Sequence, residues 1–500
     1  MDDTFKNLES VFGEIIDLRR AAALLEWDER VCMPEGGVQA HGDMLATVRR
    51  LEHEKFTSRE TGELLSEAKE RVKGLDRDSD LHRLVTVAAR DYDKATRVPA
   101  AFVSEQAQTV SAAHHAWVEA RSKSDFSIFR PHLQKVVDLK RRYVAFFPEV
   151  EQPYDALLDD FEPGMKTSEV QEIFDTLGSR QVTLVQSLVD RPQIDDTVLH
   201  LPYAEKDIWD FGVEIMTSFG FDWARGRQDK SAHPFATSAG PGDVRVTTRF
   251  DASQPFGLLF GTLHETGHAL YEQGLGSRWS RSLLEGGVSL GVHESQSRLW
   301  ENLVGRSLPF WECFFPRLQK RFPAQLDGVT PRQFYRAVNK VEPSLIRVEA
   351  DEATYNLHVM LRVELEIALL GGEITVADLP EAWNGRMKSY VGVVPDGDAK
   401  GVLQDIHWAI GLFGYFATYT IGNVISVQLW DACHGVEPSL DDQIRRGEFS
   451  TLLAWLRTRV HEHGRKYQPQ EVVERATGAR IDPEPYLRYL DRKFREIYGF

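Results

Sequence analysis

The sequence predicts a mainly α fold with one small β-sheet, on three observations. Apolar residues recur at helical spacing along most of the 500 residues, among good helix formers. Strand signal is confined to one short stretch. Proline and glycine mark turns without accumulating into a linker or a repeat, so the chain reads as one domain over residues 1–500.

In chain order, Phe5 to Leu25, Leu81 to Thr96 and Phe129 to Phe147 read as helices, separated by turns such as Pro34 to Gly37 and Pro163 to Met165. Asp243 to Phe250 alternates β-branched and polar residues after a Gly-Pro-Gly turn, and is the predicted strand. As an edge strand it would hold an extended peptide through main-chain hydrogen bonds. Pro255 to Gly274 carries a helical stripe through Leu259, Leu263, Leu270 and Tyr271. A second amphipathic helix is expected after the Gly286-Gly287 break, and another over Phe334 to Val341. Trp408 to Trp430 runs 23 residues without a charge, long enough for a membrane span. Its three glycines, its many hydroxyl and amide side chains and its lack of basic flanks predict a buried segment lining a cavity instead.

With 59 Lys and Arg against 76 Asp and Glu, the net charge of -17 disfavours nucleic acid and anionic membrane as partners. Cys32, Cys313 and Cys433 are odd in number and widely spaced, which argues against both a disulfide framework and a cysteine-ligated metal. The charged N-terminus has no apolar signal core, so a cytoplasmic location is expected.

The chemistry is concentrated at His264-Glu265-Thr266-Gly267-His268. On a helix this HExxH spacing is about one turn, so both imidazoles project from one face and bridge a tetrahedral zinc. Glu265 lies one position round, where it reaches water rather than the metal, the place of a general base. Gly267 costs about 1 kcal/mol relative to alanine inside a helix, which points to close packing there. Zinc then needs a third protein ligand and an open position. Glu272, Glu285, Glu294 and Glu301 are candidates, and Glu294 is preferred because it opens the next helix. His293 is the alternative; adjacent helix residues point about 100° apart, so only one of the two faces the metal. His114-His115 and His461/His463 read as structural.

Several motifs together resemble the Taq-type metallocarboxypeptidases: His233-Pro234-Phe235, Asp243-x-Arg245-x-Thr247, the HExxH, His293-Glu294-Ser295-Gln296, Ile346-Arg347 through Ala350-Asp351, and Gly401-x-x-Gln404-Asp405-x-His407-Trp408. The resemblance implies a single helical domain with a deep groove, a homodimer, and a divalent metal, zinc or cobalt. It also implies release of C-terminal amino acids from peptides with a free C-terminus, with broad specificity, by zinc-activated water and a glutamate base. By the same carry-over His264, His268 and Glu294 are metal ligands, Glu265 is the base, and the catalytic core covers residues 230–425.

An exopeptidase must recognise a free carboxylate, which a guanidinium does bidentately. Arg245, on the predicted strand, and Arg347, placed on one helical face with Asp351, Thr354 and His358, are the candidates, and the resemblance implies that His233, in its His-Pro-Phe motif, belongs to the region that recognises the substrate terminus. Of His407, Tyr415 and Tyr419, one or two are expected to point at the oxyanion and supply donors to it. Asp351 is expected to orient a zinc-bound histidine. The competing readings are an oligopeptide endopeptidase with the same metal chemistry and a non-catalytic scaffold. The presence of Glu265 speaks against the scaffold.

Overall fold

Residues 3–500 are described by the computed structural model, in which twenty α-helices surround one three-stranded sheet. The first four helices, Asp3–Val31, Val38–Phe56, Arg59–Val72 and Asp80–Arg97, form a layer of their own. Serine caps start two of them: Ser58 accepts from the Thr61 N–H and Ser79 from the His82 N–H. Their apolar faces share a small core that includes Phe5, Leu8, Phe12, Phe56, Leu65 and Val85, joined from elsewhere by Leu283.

Ion pairs fasten this layer to the rest of the chain. Arg83 meets Glu471 at 2.8 Å, Arg475 meets Asp78 at 2.6 Å, Arg465 meets Asp91 at 2.8 Å and Arg20 meets Glu285 at 2.7 Å. The large core lies beyond, around the buried helices Phe256–Gly274, Tyr355–Gly371 and Ala417–Val436.

The expected helices are present with shifted ends. Phe5 to Leu25 and Leu81 to Thr96 lie inside longer helices, whereas the one expected over Phe129 to Phe147 runs Phe126–Val144. Of Phe334 to Val341 only the first four residues are helical, in a helix at Pro331–Ala337 started early by Thr330, which accepts from the Gln333 N–H while Gln333 accepts from the Thr330 N–H.

The sheet has three strands, β1 (Gly226–Lys230), β2 (Ala236–Ser238) and β3 (Val244–Thr248), in the order β1-β3-β2. The expected strand is β3, and it is central rather than an edge. β1 pairs with it in parallel and β2 antiparallel, so both of its hydrogen-bonding edges are used. Any added peptide strand would have to pair with β1 or β2.

The uncharged segment divides into irregular turns up to Phe416 and the buried helix Ala417–Val436. No helix among the described residues is long and apolar enough to cross a membrane.

Candidate metal centre and carboxylate pocket

Two glycines set the metal site. The helix Leu290–Arg298, capped by Ser289 accepting from the Val292 N–H, crosses the HExxH helix at Gly267. A Cβ on Gly267 would sit 2.5 Å from the Gln296 carbonyl oxygen and 2.6 Å from Ser297 Cα. On the far side, a Cβ on Gly422 would come within 2.6 Å of both Cβ and Cγ of Glu294. The crossing helix is held between two backbones that approach more closely than side chains allow.

That approach delivers Glu294 to the histidines. Its Oε2 lies 3.5 Å from His264 Nε2 and 3.5 Å from His268 Nε2. Ligand atoms of the three residues all lie within 4.8 Å of one another. The other ring nitrogens are occupied. His264 Nδ1 donates to Glu301 Oε2 at 2.9 Å, and His268 Nδ1 is 2.6 Å from His293 Nδ1, whose own Nε2 donates to Glu272 at 2.9 Å. Both Nε2 atoms therefore face the carboxylate oxygen, an arrangement that a bound cation would complete. Two imidazoles and one carboxylate are a donor set that fits a divalent ion such as zinc.

The electrostatics divide the two histidines: burial lowers His264 but Glu294 and Glu301 outweigh it and raise it, whereas His268 and the carboxylates are held in their ligating forms. Burial pushes His268 down to about 3, so it stays neutral. Burial opposes ionisation of Glu294 and Glu301, but Arg298 and the histidines outweigh it, holding Glu294 well below the usual range and Glu301 at about 2. Arg298 donates from Nε to Glu294 Oε1 at 2.7 Å and from a terminal nitrogen to Glu301 Oε2 at 3.0 Å. Glu301 reaches His264 from a π-helical stretch, Leu299–Val304, that widens the end of the crossing helix. Glu265 is 6% exposed and makes no hydrogen bond or ion pair among the described residues; burial raises it to about 7.

A second polar cluster is built around Arg347. Its Nε and one terminal nitrogen donate to Asp405 Oδ1 at 3.1 and 2.7 Å, and its other terminal nitrogen donates to the Tyr355 hydroxyl at 2.9 Å. Arg362 donates to Asp405 Oδ2 at 2.6 Å. Two guanidiniums share one carboxylate, so the cluster has room for one more anion. A guanidinium has five N–H donors, and these three bonds leave Arg347 one on each terminal nitrogen. His407 stands beside it, with Nε2 3.2 Å from the Tyr419 hydroxyl and Nδ1 without a hydrogen-bond partner among the described residues. Burial pushes this ring to about 3, so it is a neutral imidazole. Tyr415 packs 5.4 Å from both the His407 and Tyr419 rings.

The sequence matches the family described as "Carboxypeptidase Taq (M32) metallopeptidase" over residues 7–494. The chain belongs to this family. It is 42% identical to thermostable carboxypeptidase 1 of Thermus thermophilus, over 99% of each chain, and 36% identical to carboxypeptidase 1 of Bacillus subtilis, over 99% of this chain and 98% of that one. Among solved structures it resembles the M32 carboxypeptidase of Deinococcus radiodurans, with TM-score 0.97, 41% identity and full coverage of both chains. The apo-Mg carboxypeptidase of Pyrococcus furiosus gives TM-score 0.95, 36% identity and 99% coverage of each chain.

In this M32 carboxypeptidase the other expected site residues lie apart. Arg245 forms a two-pronged ion pair with Asp243 and stacks on Trp27 of the first helix at 4.4 Å, on the sheet face opposite the buried Val244 and Val246. His233 is exposed in the loop between β1 and β2, and its neighbour Pro234 approaches the HExxH helix at Gly261. Two expectations are corrected. Arg347 is not on a helical face with Thr354 and His358, because the chain leaves its short 3-10 turn at Ala350 and the next helix starts at Tyr355. Asp351 does not orient a metal-site histidine: its carboxylate accepts from the Glu342, Ala353 and Thr354 N–H groups and the Thr354 hydroxyl, holding the turn before that helix instead. Of the other glutamates considered, Glu285 pairs with Arg20 and Glu272 with His293.

Sequence reasoning missed Arg298, Arg362, Tyr355 and Glu366. Arg298 had a signal, being four residues from Glu294 on one helix face. The other three meet their partners only through tertiary packing. Glu366, on the helix Tyr355–Gly371, accepts from the Tyr154 hydroxyl, the Trp408 indole and the Gly414 N–H, and so anchors the turns that carry His407 and Tyr415.

Proposed function

We propose that this carboxypeptidase releases single residues from peptide C-termini with broad specificity, with zinc held by His264, His268 and Glu294 and cobalt as a workable substitute. When bound there, the metal polarises the scissile carbonyl and makes water acidic enough to attack near neutral pH. Glu265 takes the proton from the attacking water and returns it to the leaving amine. The observation that carries this reading is a buried glutamate without a partner among the described residues, one helix position from the first ligand.

Arg347 takes the terminal carboxylate on its two remaining N–H groups. One or two of His407, Tyr415 and Tyr419 donate to the oxyanion. These groups address the main chain and terminus rather than the side chain, which supports broad specificity. The two-pronged pair with Asp243 argues for Arg245 in a supporting role, and His233 belongs to the substrate-binding rim. The same reading has one catalytic unit with its core over residues 230–425, working as a homodimer in the cytoplasm; the unpaired cysteines and the acidic charge support the location.

Mass spectrometry of a ten-residue peptide and its C-terminally amidated twin, with metal-loaded and chelator-treated protein, tests the proposal. A ladder of single-residue losses from the free acid alone, abolished by chelator, is expected. Internal cuts in both peptides would replace it with the oligopeptidase reading.

A further inference from the structure

Between the metal ligands and Arg347 stands one side chain that touches both sets of supports. Tyr355 is the first residue of its helix and is 6% exposed. The Arg298 guanidinium lies over its ring, 4.5 Å from the centroid, and the same Arg298 holds Glu294 and Glu301. The Tyr355 hydroxyl accepts from Arg347 at 2.9 Å. Its ring also meets Tyr419 edge-on at 6.1 Å. Asp351 accepts from the Ala353 and Thr354 N–H groups in the turn that leads into this helix.

An exopeptidase must hold the terminal carboxylate one residue away from the scissile carbonyl. A shift of about 1 Å in either anchor is enough to cost a large part of the rate. The two anchors here sit on different segments, Glu294 on one helix and Arg347 on a 3-10 turn about fifty residues later. Tyr355 joins them through a rigid aromatic body with two contacts of different kinds. A guanidinium over an aromatic face is held by the ring quadrupole. The phenol oxygen takes one N–H of Arg347 and turns the plane of its guanidinium.

We propose that Tyr355 is a positioning residue that sets the separation between the metal ligands and the carboxylate clamp, its ring serving Arg298 and its hydroxyl serving Arg347. The inference rests on the reading of Arg347 as the clamp.

The test compares Tyr355→Phe, Tyr355→Leu and Arg347→Ala in the full-length, metal-loaded enzyme. Each is assayed on a free-acid dipeptide series and on the amidated counterparts, and metal affinity is measured by competition with a chromophoric chelator. Tyr355→Phe keeps the ring and loses the acceptor. Its KM for free acids should rise about tenfold, the weight of one hydrogen bond to a charged group, with metal affinity unchanged. Tyr355→Leu should show the same KM rise and also a weaker hold on metal. Arg347→Ala should erase the preference for free acids over amides. If Arg347→Ala keeps that preference, the clamp reading falls. If Arg347→Ala erases it while Tyr355→Phe retains wild-type KM, Tyr355 does not position the clamp. A loss of metal affinity in Tyr355→Phe would overturn the division of labour between ring and hydroxyl.

Discussion

Glu265→Gln keeps the shape of the side chain and removes its ability to accept a proton. Steady-state kinetics should show kcat lower by about 10²–10⁴, the usual weight of a general base, while metal content per chain is unchanged. Full activity in a metal-replete variant would reassign the base. Arg298→Met tests the neighbouring charge balance. Without the guanidinium, burial raises both Glu294 and Glu301, so protons compete with the metal for the ligand carboxylate. Metal affinity near pH 6 should fall about 10–100-fold, with a smaller gap near pH 8, as read by chelator competition. Glu366 gives a pH signature in stability. Burial raises its carboxyl from 4.5 to about 7, so the folded state holds the proton more tightly than the unfolded chain. That contribution is complete below about pH 4.5 and is lost as pH rises toward 7. The unfolding midpoint of Glu366→Gln, measured across this window, should fall less steeply with pH than that of the parent. Equal slopes would mean that Glu366 titrates normally.

The crossing of the HExxH helix by Leu290–Arg298 turns on hydrogen atoms at two α-carbons. Gly267→Ala and Gly422→Ala should each cost about 1–3 kcal/mol of stability, the range for an overpacked core, because their new methyl groups meet backbone or the ligand itself. Each should also weaken metal binding at least tenfold, seen by titration of the metal-free protein. Wild-type metal affinity in both would show that the helix relaxes freely. The HExxH and Gly267 were legible in the sequence because the histidine spacing and an awkward glycine lie on a single helix, and Glu294 because it falls on the next amphipathic helix after the Gly286-Gly287 break. β1 and β2 were not: Gly226–Lys230 is mostly polar and Ala236–Ser238 has three residues, too few for a period to show. The helix expected through Arg347 failed because Asp351 spends its carboxylate on the Ala353 and Thr354 N–H groups, a local turn that interrupts the chain before the helix starting at Tyr355. The partnership of Arg347 with Asp405 and Tyr355 pairs residues drawn together only by the tertiary fold.

At the scale of the whole molecule, the first four helices have their own small core and are fastened by ion pairs, most of them partly exposed. Such pairs weaken as salt shortens the Debye length below about 10 Å. Hydrogen exchange should therefore be faster in residues 3–97 than in Phe256–Gly274 and Ala417–Val436, with the contrast widening as sodium chloride is added. Uniform protection would indicate that the layer opens only with the rest. The glycine-gripped crossing also bears on engineering. Copying His264, His268 and Glu294 onto another helical scaffold would transplant the side chains without the spacing that makes them a site. The portable unit is the stack of three helices through Gly267 and Gly422, and a designer would have to borrow all of it.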